Sequence, residues 1–133
     1  MSSAQIPVTV ATASGRITGV RRDGLHYFHS VRYSTIPSPY SPAEPLQGTH
    51  DQDAREPHPT DIALSITASA DAAECPVVVY IHGGRFEHGS HEDPRLSGEM
   101  NARHGVIQVN VGYRVGLAGF ARFDGDEADR YRG

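Results

Sequence analysis

The run Val77-Val78-Val79-Tyr80-Ile81, leading straight into His82-Gly83-Gly84, constrains this chain more than any other stretch. Five apolar, mostly β-branched residues in succession leave no polar face for solvent. The run therefore predicts a strand covered on both faces, as in a parallel α/β sheet. Pro76 bounds it on one side and the glycine pair on the other. Glycines at the carboxyl end of such a strand lie where open α/β sheets bind ligands, and they let backbone N–H groups approach a substrate and converge on a developing oxyanion. From the dipeptide alone, a tight strand-to-loop turn without chemistry is an equal alternative.

The flanking sequence supplies the rest of a unit. Pro94 to His104 has a weak helical period, with Leu96 and Met100 four apart and Gly105 placed for a C-terminal cap. Val106 to Tyr113 reads as the next strand, so strand, glycine loop, helix and strand make one βαβ unit. Before it, Pro7 to Thr12, Arg16 to Arg22 and Leu25 to Tyr33 are rich in β-formers, and Asp23-Gly24 is a hairpin turn, which predicts an antiparallel meander. Asp61 to Thr67 alternates Ile62, Leu64 and Ile66 with small or polar residues, the mark of a strand with one buried face. Between them, Pro37 to Pro59 holds six of the nine prolines and is expected to be a loop or surface wrap, a linker between domains being the alternative. Phe120 to Gly133 turns acidic and polar and reads as a loop.

At 133 residues one modest domain is the upper bound. With 12 Lys and Arg against 16 Asp and Glu, net charge -4, no basic stripe exists to neutralise phosphates, so no nucleic-acid partner is expected. No run approaches the roughly 18 apolar residues of a bilayer span, so no membrane partner is expected either. The opening residues, Met1 to Gly15, lack the basic start and apolar stretch of a secretory signal, and Cys75 has no second cysteine to pair with. A cytoplasmic location is the resulting expectation.

Rival motifs are weaker. Gly89-Ser90-His91 lacks the Lys and Ser/Thr of a phosphate loop, and Gly112, Gly116 and Gly119 have the wrong spacing for a dinucleotide fingerprint. His82, His88, His91, Glu92 and Asp93 are near one another, but in a polar loop without a second ligand cluster, so a solvated loop is expected rather than a metal site. His26, His29, His50 and His58 show no partner pattern.

Four elements in order carry a family resemblance. His82-Gly83-Gly84-Arg85-Phe86, with Gly89-Ser90 after it, resembles the HGGGF…GS element of type-B carboxylesterases. Phe28 to Ser34 is similar to a degenerate F-x-G-I-P-Y-A. Asp61 to Ile66 is similar to E-D-C-L-x-L-N-V without the cysteine, and Val109 to Phe120 to V-x-V-N-Y-R-x-G-x-x-G-F. The continuation Tyr113-Arg114 into Val115-Gly116 resembles type B rather than the hormone-sensitive-lipase group, which usually reads Y-R-L-A-P-E.

The resemblance implies an α/β-hydrolase fold, here its N-terminal part only: an antiparallel meander and the first βαβ unit of the central sheet, with residues 1–133 as the front of a single domain. It implies a carboxylic ester hydrolase with a small-molecule ester as substrate and no cofactor or metal. The backbone N–H groups of Gly84 and Arg85 take the oxyanion-hole role, with His82, Gly83 and Phe86 supporting the loop. Arg85 departs from the usual Gly or Ala, and Gly112 from the usual Asn. No glycine in the chain begins a G-x-S-x-G, so none of these residues is assigned as nucleophile, acid or base. In that fold Val77–Ile81 has a strand neighbour on each side, one of them missing here, so the isolated residues are expected to expose an apolar strand edge through which they self-associate. A non-catalytic binding protein of the same superfamily, and a small complete ligand- or metal-binding domain, are the other readings.

Overall fold

The computed structural model describes residues 4–58 and 62–121; Asp61 and nearly all of the acidic C-terminal stretch lie outside the described residues. One mixed sheet organises them.

The meander forms as expected. Strands β1 (Ile6–Thr12), β2 (Gly15–Arg22) and β3 (Leu25–Arg32) pair antiparallel in sequence. The β2–β3 turn places Asp23 at φ 51° and Gly24 at φ 77°, the two positive values that match a tight hairpin to strand twist. Near its end β3 is bulged. Register shifts between Phe28 and Val31, and Ser30 takes φ 52°.

Strand β3, not the valine run, is covered on both faces. On one side Leu25 and Tyr27 pack with Val20 and with Ala102 of α1 (Glu99–Arg103). On the other, Phe28 and Val31 pack with Ala54, flanked by Val8, Ile17, Leu64 and Ile66. Ala54 belongs to the proline-rich stretch, which is a surface wrap. Its β5 (Glu44–Pro45) pairs with β4 (Ser34–Thr35), which lies just before it, and it then runs parallel to β2 as β6 (Gln52–Asp53). Arg16 clasps Asp51 at 2.7 Å, and Gln52 exchanges side-chain hydrogen bonds with both backbone groups of Arg32, at 2.8 and 3.1 Å.

Strand β7 (Ala63–Ser69) overlaps the stretch whose alternation predicts it and runs two residues further, but its most buried face is the other one. Leu64 and Ile66 are half-buried, whereas Ala63, Ser65 and Thr67 are buried. The cause is hydrogen bonding: the Ser65 and Thr67 hydroxyls donate to the carbonyls of His91 (2.7 Å) and Ser97 (2.8 Å), so the following loop lies on that face. Strand β9 (Ile107–Val111) pairs antiparallel with β7 and parallel with β8 (Val77–Ile81), completing the βαβ unit. The strand order is thus β1-β2-β3-β7-β9-β8, with β6 beside β2. The expected helix shortens to a 3₁₀ turn, Pro94–Leu96, and α1, with Gly105 at φ 77° behind it; Met100 is exposed.

Among the described residues the two-sided cover expected for the valine run is not found, and the exposed apolar edge expected of these residues alone is. Strand β8 ends the described sheet, and all five of its residues are exposed, Val79 by 60% and Ile81 by 68%. Apolar sequence reports an affinity for cover, and among the described residues only β9 meets it.

Candidate active site

The glycine loop leaves the carboxyl end of β8 and turns through a run of positive-φ conformations. Gly84 (φ 140°), Arg85 (φ 57°), Phe86 (φ 66°) and Gly89 (φ 129°) all take part. Gly84 has no room for a side chain, since an added Cβ would lie 1.7 Å from the His88 carbonyl oxygen. Its own carbonyl accepts from the N–H groups of Glu87 (3.1 Å) and His88 (3.2 Å), which closes the turn. Among the described residues the N–H groups of Gly84, Arg85 and Phe86 find no acceptor. Backbone donors left over in a glycine turn are what an anionic oxygen can use.

The loop is supported by residues at and just beyond the end of β9. His82 is buried, its ring stacked on Tyr113 at 4.3 Å, and the Tyr113 hydroxyl donates back to the His82 carbonyl. Nδ1 of His82 lies 2.8 Å from the Gly83 carbonyl oxygen, which can only accept, so Nδ1 carries the proton. Gly89 packs so tightly on this ring that a Cβ there would meet Nδ1 at 2.1 Å. A ring stacked on Tyr113, hydrogen-bonded through one nitrogen and packed against Gly89 is a brace for the loop. Further support is given by Gly116, whose N–H donates to the Phe86 carbonyl at 2.6 Å, at the start of α2 (Gly116–Phe120). The Phe86 and Phe120 rings meet edge to face at 5.0 Å. Arg114, buried, donates to the Ser41 carbonyl at 2.7 Å and ties the proline-rich wrap to the same corner.

A cleft of about 440 Å³ opens beside this loop, lined by Tyr80, His82 to Gly84, His88 to Ser90, Asp93, Arg95 and Leu96. Asp93 and Arg95 neutralise each other there at 2.6 Å, and the Arg95 guanidinium and backbone N–H hold the Asp93 carboxyl at about 2. A neighbouring cleft of about 400 Å³ is lined by His29, Ser65, His91, Glu92 and Asn110 among others.

That second cleft corrects the solvated-loop expectation. His91 is buried, and Glu92 binds His29 at 2.9 Å and the Ser30 N–H at 3.1 Å, so His29 does have a partner. Burial alone would push the Glu92 carboxyl up. The His29 hydrogen bond and charge, the His91 charge and the Ser30 N–H outweigh it and bring it below its ordinary value. The Ser30 bulge is thus held by a residue of the loop after β8, a contact that sequence spacing does not reveal. Among the described residues no three His, Cys, Asp or Glu side chains converge as metal ligands.

Residues 62–130, a stretch that includes β7, the glycine loop and β9, match the model of the carboxylesterase family. The chain belongs to that family. It is 29% identical to the phenmedipham hydrolase of Pseudarthrobacter oxydans, over 87% of this chain and 30% of that protein. It is also 29% identical to the para-nitrobenzyl esterase of Bacillus subtilis, over 84% of this chain and 28% of that protein. A crystal structure of the Geobacillus stearothermophilus carboxylesterase superposes with TM-score 0.82 at 27% identity, covering 94% of this chain and 30% of its own. The chain therefore spans about 30% of the length of the carboxylesterases it matches. Its partial mixed sheet is the N-terminal part of an α/β-hydrolase fold, as the motifs implied.

Proposed function

We propose that residues 1–133 are the front of a single carboxylesterase domain and supply the oxyanion-binding loop of a serine ester hydrolase. The observation that carries this is the pair of N–H groups at Gly84 and Arg85 that find no acceptor among the described residues, in the loop at the carboxyl end of β8, with Gly84 lining an open cleft. In such a reaction a serine attacks the ester carbonyl, the oxygen gains negative charge, and preorganised donors stabilise it; water then releases the acyl group. Each donor contributes roughly 3 kcal/mol to the transition state. Gly84 and Arg85 would donate, while His82, Gly83 and Phe86 hold the loop. The serine, acid and base would come from sequence outside these residues. Small-molecule carboxylic esters are the substrate class, and a cytoplasmic location fits the lone Cys75.

The test is to assay the product of the whole reading frame that encodes this chain with p-nitrophenyl acetate and a fluorophosphonate that labels activated serines. Turnover with labelling is expected, and the isolated 133 residues should give neither. A full product that neither turns over nor labels favours the non-catalytic binding reading instead. We further infer that the isolated residues associate through β8, whose five exposed apolar side chains line one strand edge.

A further inference from the structure

The limb that returns from the glycine turn, residues 87–93, packs directly on the residues that carry the donors. Its Glu87 and His88 N–H groups close on the Gly84 carbonyl, the His88 carbonyl lies against the Gly84 Cα, and Gly89 lies against the His82 ring. Where this limb sits therefore decides where the Gly84 and Arg85 N–H groups point. Two neutral clamps hold it at the His91 carbonyl, from the Ser65 hydroxyl at 2.7 Å and the Asn110 amide at 3.3 Å.

A third clamp carries charge and reaches another strand. Oε2 of Glu92 lies 2.9 Å from Nδ1 of His29, and Oε1 accepts the Ser30 N–H at 3.1 Å, so both carboxylate oxygens are engaged on β3. An ionised carboxylate only accepts, so Nδ1 of His29 donates. The buried His91 ring brings Nε2 to 3.7 Å from Oε1 as well. What Glu92 grips is itself fixed. The His29 N–H donates to the Ala54 carbonyl at 2.7 Å, and the Ser30 hydroxyl exchanges hydrogen bonds with both backbone groups of His58 at 2.8 and 3.1 Å. Ser30 takes φ 52°, a conformation that persists where the surroundings over-determine it. A charge-assisted contact through two oxygens onto a strand covered on both faces is the outer support that holds a site to a fraction of an ångström.

We propose that Glu92 is a positioning residue of the oxyanion loop: by clasping His29 and the Ser30 N–H it fixes the returning limb, and through His88 and Gly89 the direction of the Gly84 and Arg85 donors. The proposal rests on the ester-hydrolase reading above and adds to it a residue outside the glycine motif. Glu92 touches no reacting atom; it acts on the transition state through the backbone it holds.

The experiment uses the product of the whole reading frame, with rates expressed per serine labelled to completion by a fluorophosphonate, so that loss of folded enzyme does not count. For p-nitrophenyl acetate, Glu92→Ala should lower kcat about tenfold with KM unchanged, since small misplacements of a distant support act on the transition state. Affinity for a trifluoromethyl ketone, whose carbonyl oxygen becomes an oxyanion when the serine adds to it, should fall by the same factor. Glu92→Gln, which still accepts from Ser30, and His29→Phe, which keeps a ring against Tyr27, should each cost about threefold. Leu25→Ala, a core change, should keep the wild-type kcat per labelled serine. Wild-type kcat in the Glu92 variants, a fall in kcat without the matching loss of ketone affinity, or an equal fall in Leu25→Ala overturns the proposal and leaves the hydrolase reading intact; if the Glu92 variants do not fold, His29→Phe decides by the same two readouts. Absence of turnover and labelling in wild type overturns both.

Discussion

Strands β3 and β8 invert what their compositions suggest. Strand β3, Leu-His-Tyr-Phe-His-Ser-Val-Arg, mixes two histidines, a serine and an arginine with its apolar residues, yet it lies mid-sheet with Leu25, Tyr27, Phe28 and Val31 all buried. Strand β8, Val-Val-Val-Tyr-Ile, has no polar group in its side chains except the tyrosine hydroxyl and is exposed along its length. The difference lies in neighbours. Helix α1 covers one face of β3 and the wrap the other, whereas among the described residues β8 has β9 beside it and the glycine loop at its end. Buried apolar packing is therefore concentrated around β3 and the proposed chemistry around β8, and substitutions can tell the two regions apart.

The largest effect is expected in the loop. Gly84→Ala would set a Cβ against the His88 carbonyl oxygen, which cannot move without opening the turn that aims the donors. Ester hydrolysis by the full reading-frame product should fall about a thousandfold, the upper range for a lost oxyanion donor. At Gly83 an added Cβ meets nothing within 4 Å, so Gly83→Ala should cost far less. Equal losses at the two glycines would mean that the loop geometry does not govern the rate.

Next comes the core. Leu25→Ala should destabilise the fold by about 3 kcal/mol, the usual cost of emptying a buried leucine site, read as a lower urea midpoint of the far-ultraviolet signal. Val79→Ala, at a residue 60% exposed, should cost less than about 0.5 kcal/mol. If the valine change proved as costly as the leucine change, β8 would be covered in solution and the contrast would collapse.

The meander, the Asp23-Gly24 turn, the wrap and the order of the βαβ unit are all legible in the sequence, because hairpin chemistry and hydrophobic period are local signals. The glycine loop is legible for the same reason, since positive φ at Gly84 and Gly89 is written in the residue type. Features set by partners distant in the chain are not. Ser65 and Thr67 become the buried face of β7 because loop carbonyls from His91 and Ser97 reach them. His29 and Glu92 meet across 63 positions. The helix shortens because Gly98, at φ 71°, caps it immediately before Glu99 and leaves Leu96 in a separate turn. The exposed edge of β8 follows from the strand order that the family resemblance implies and not from its hydrophobic period, which shows which faces are apolar and not what covers them.

The His29–Glu92 pair joins the two regions and gives a pH test of smaller size. The Glu92 carboxyl sits below its ordinary value of 4.5 in the folded chain, so the unfolded state takes up its proton first as pH falls. Its contribution to stability is then fully present above about pH 4.5 and is lost as pH drops through the lower folded value. Glu92→Gln should lower stability at neutral pH by about 1 kcal/mol, the range for a charge-assisted hydrogen bond that is partly retained, and should flatten the acid limb. An unchanged acid limb in the variant would show that the bulge at Ser30 holds itself.

The smallest effect on stability should accompany the clearest change in association. Val79→Lys puts a charge in the middle of the exposed edge, where it costs a folded monomer within about 0.5 kcal/mol because the site is already solvated. Pairing of two β8 edges would bury that ammonium against valines, which is the means by which edge lysines block strand addition. Sedimentation velocity on the 133 residues should therefore show concentration-dependent association in wild type and a shift towards monomer in Val79→Lys. A wild-type chain that stays monomeric at every concentration would remove the reason to regard β8 as an adhesive edge, and its exposed valines would then be an ordinary apolar surface beside the loop.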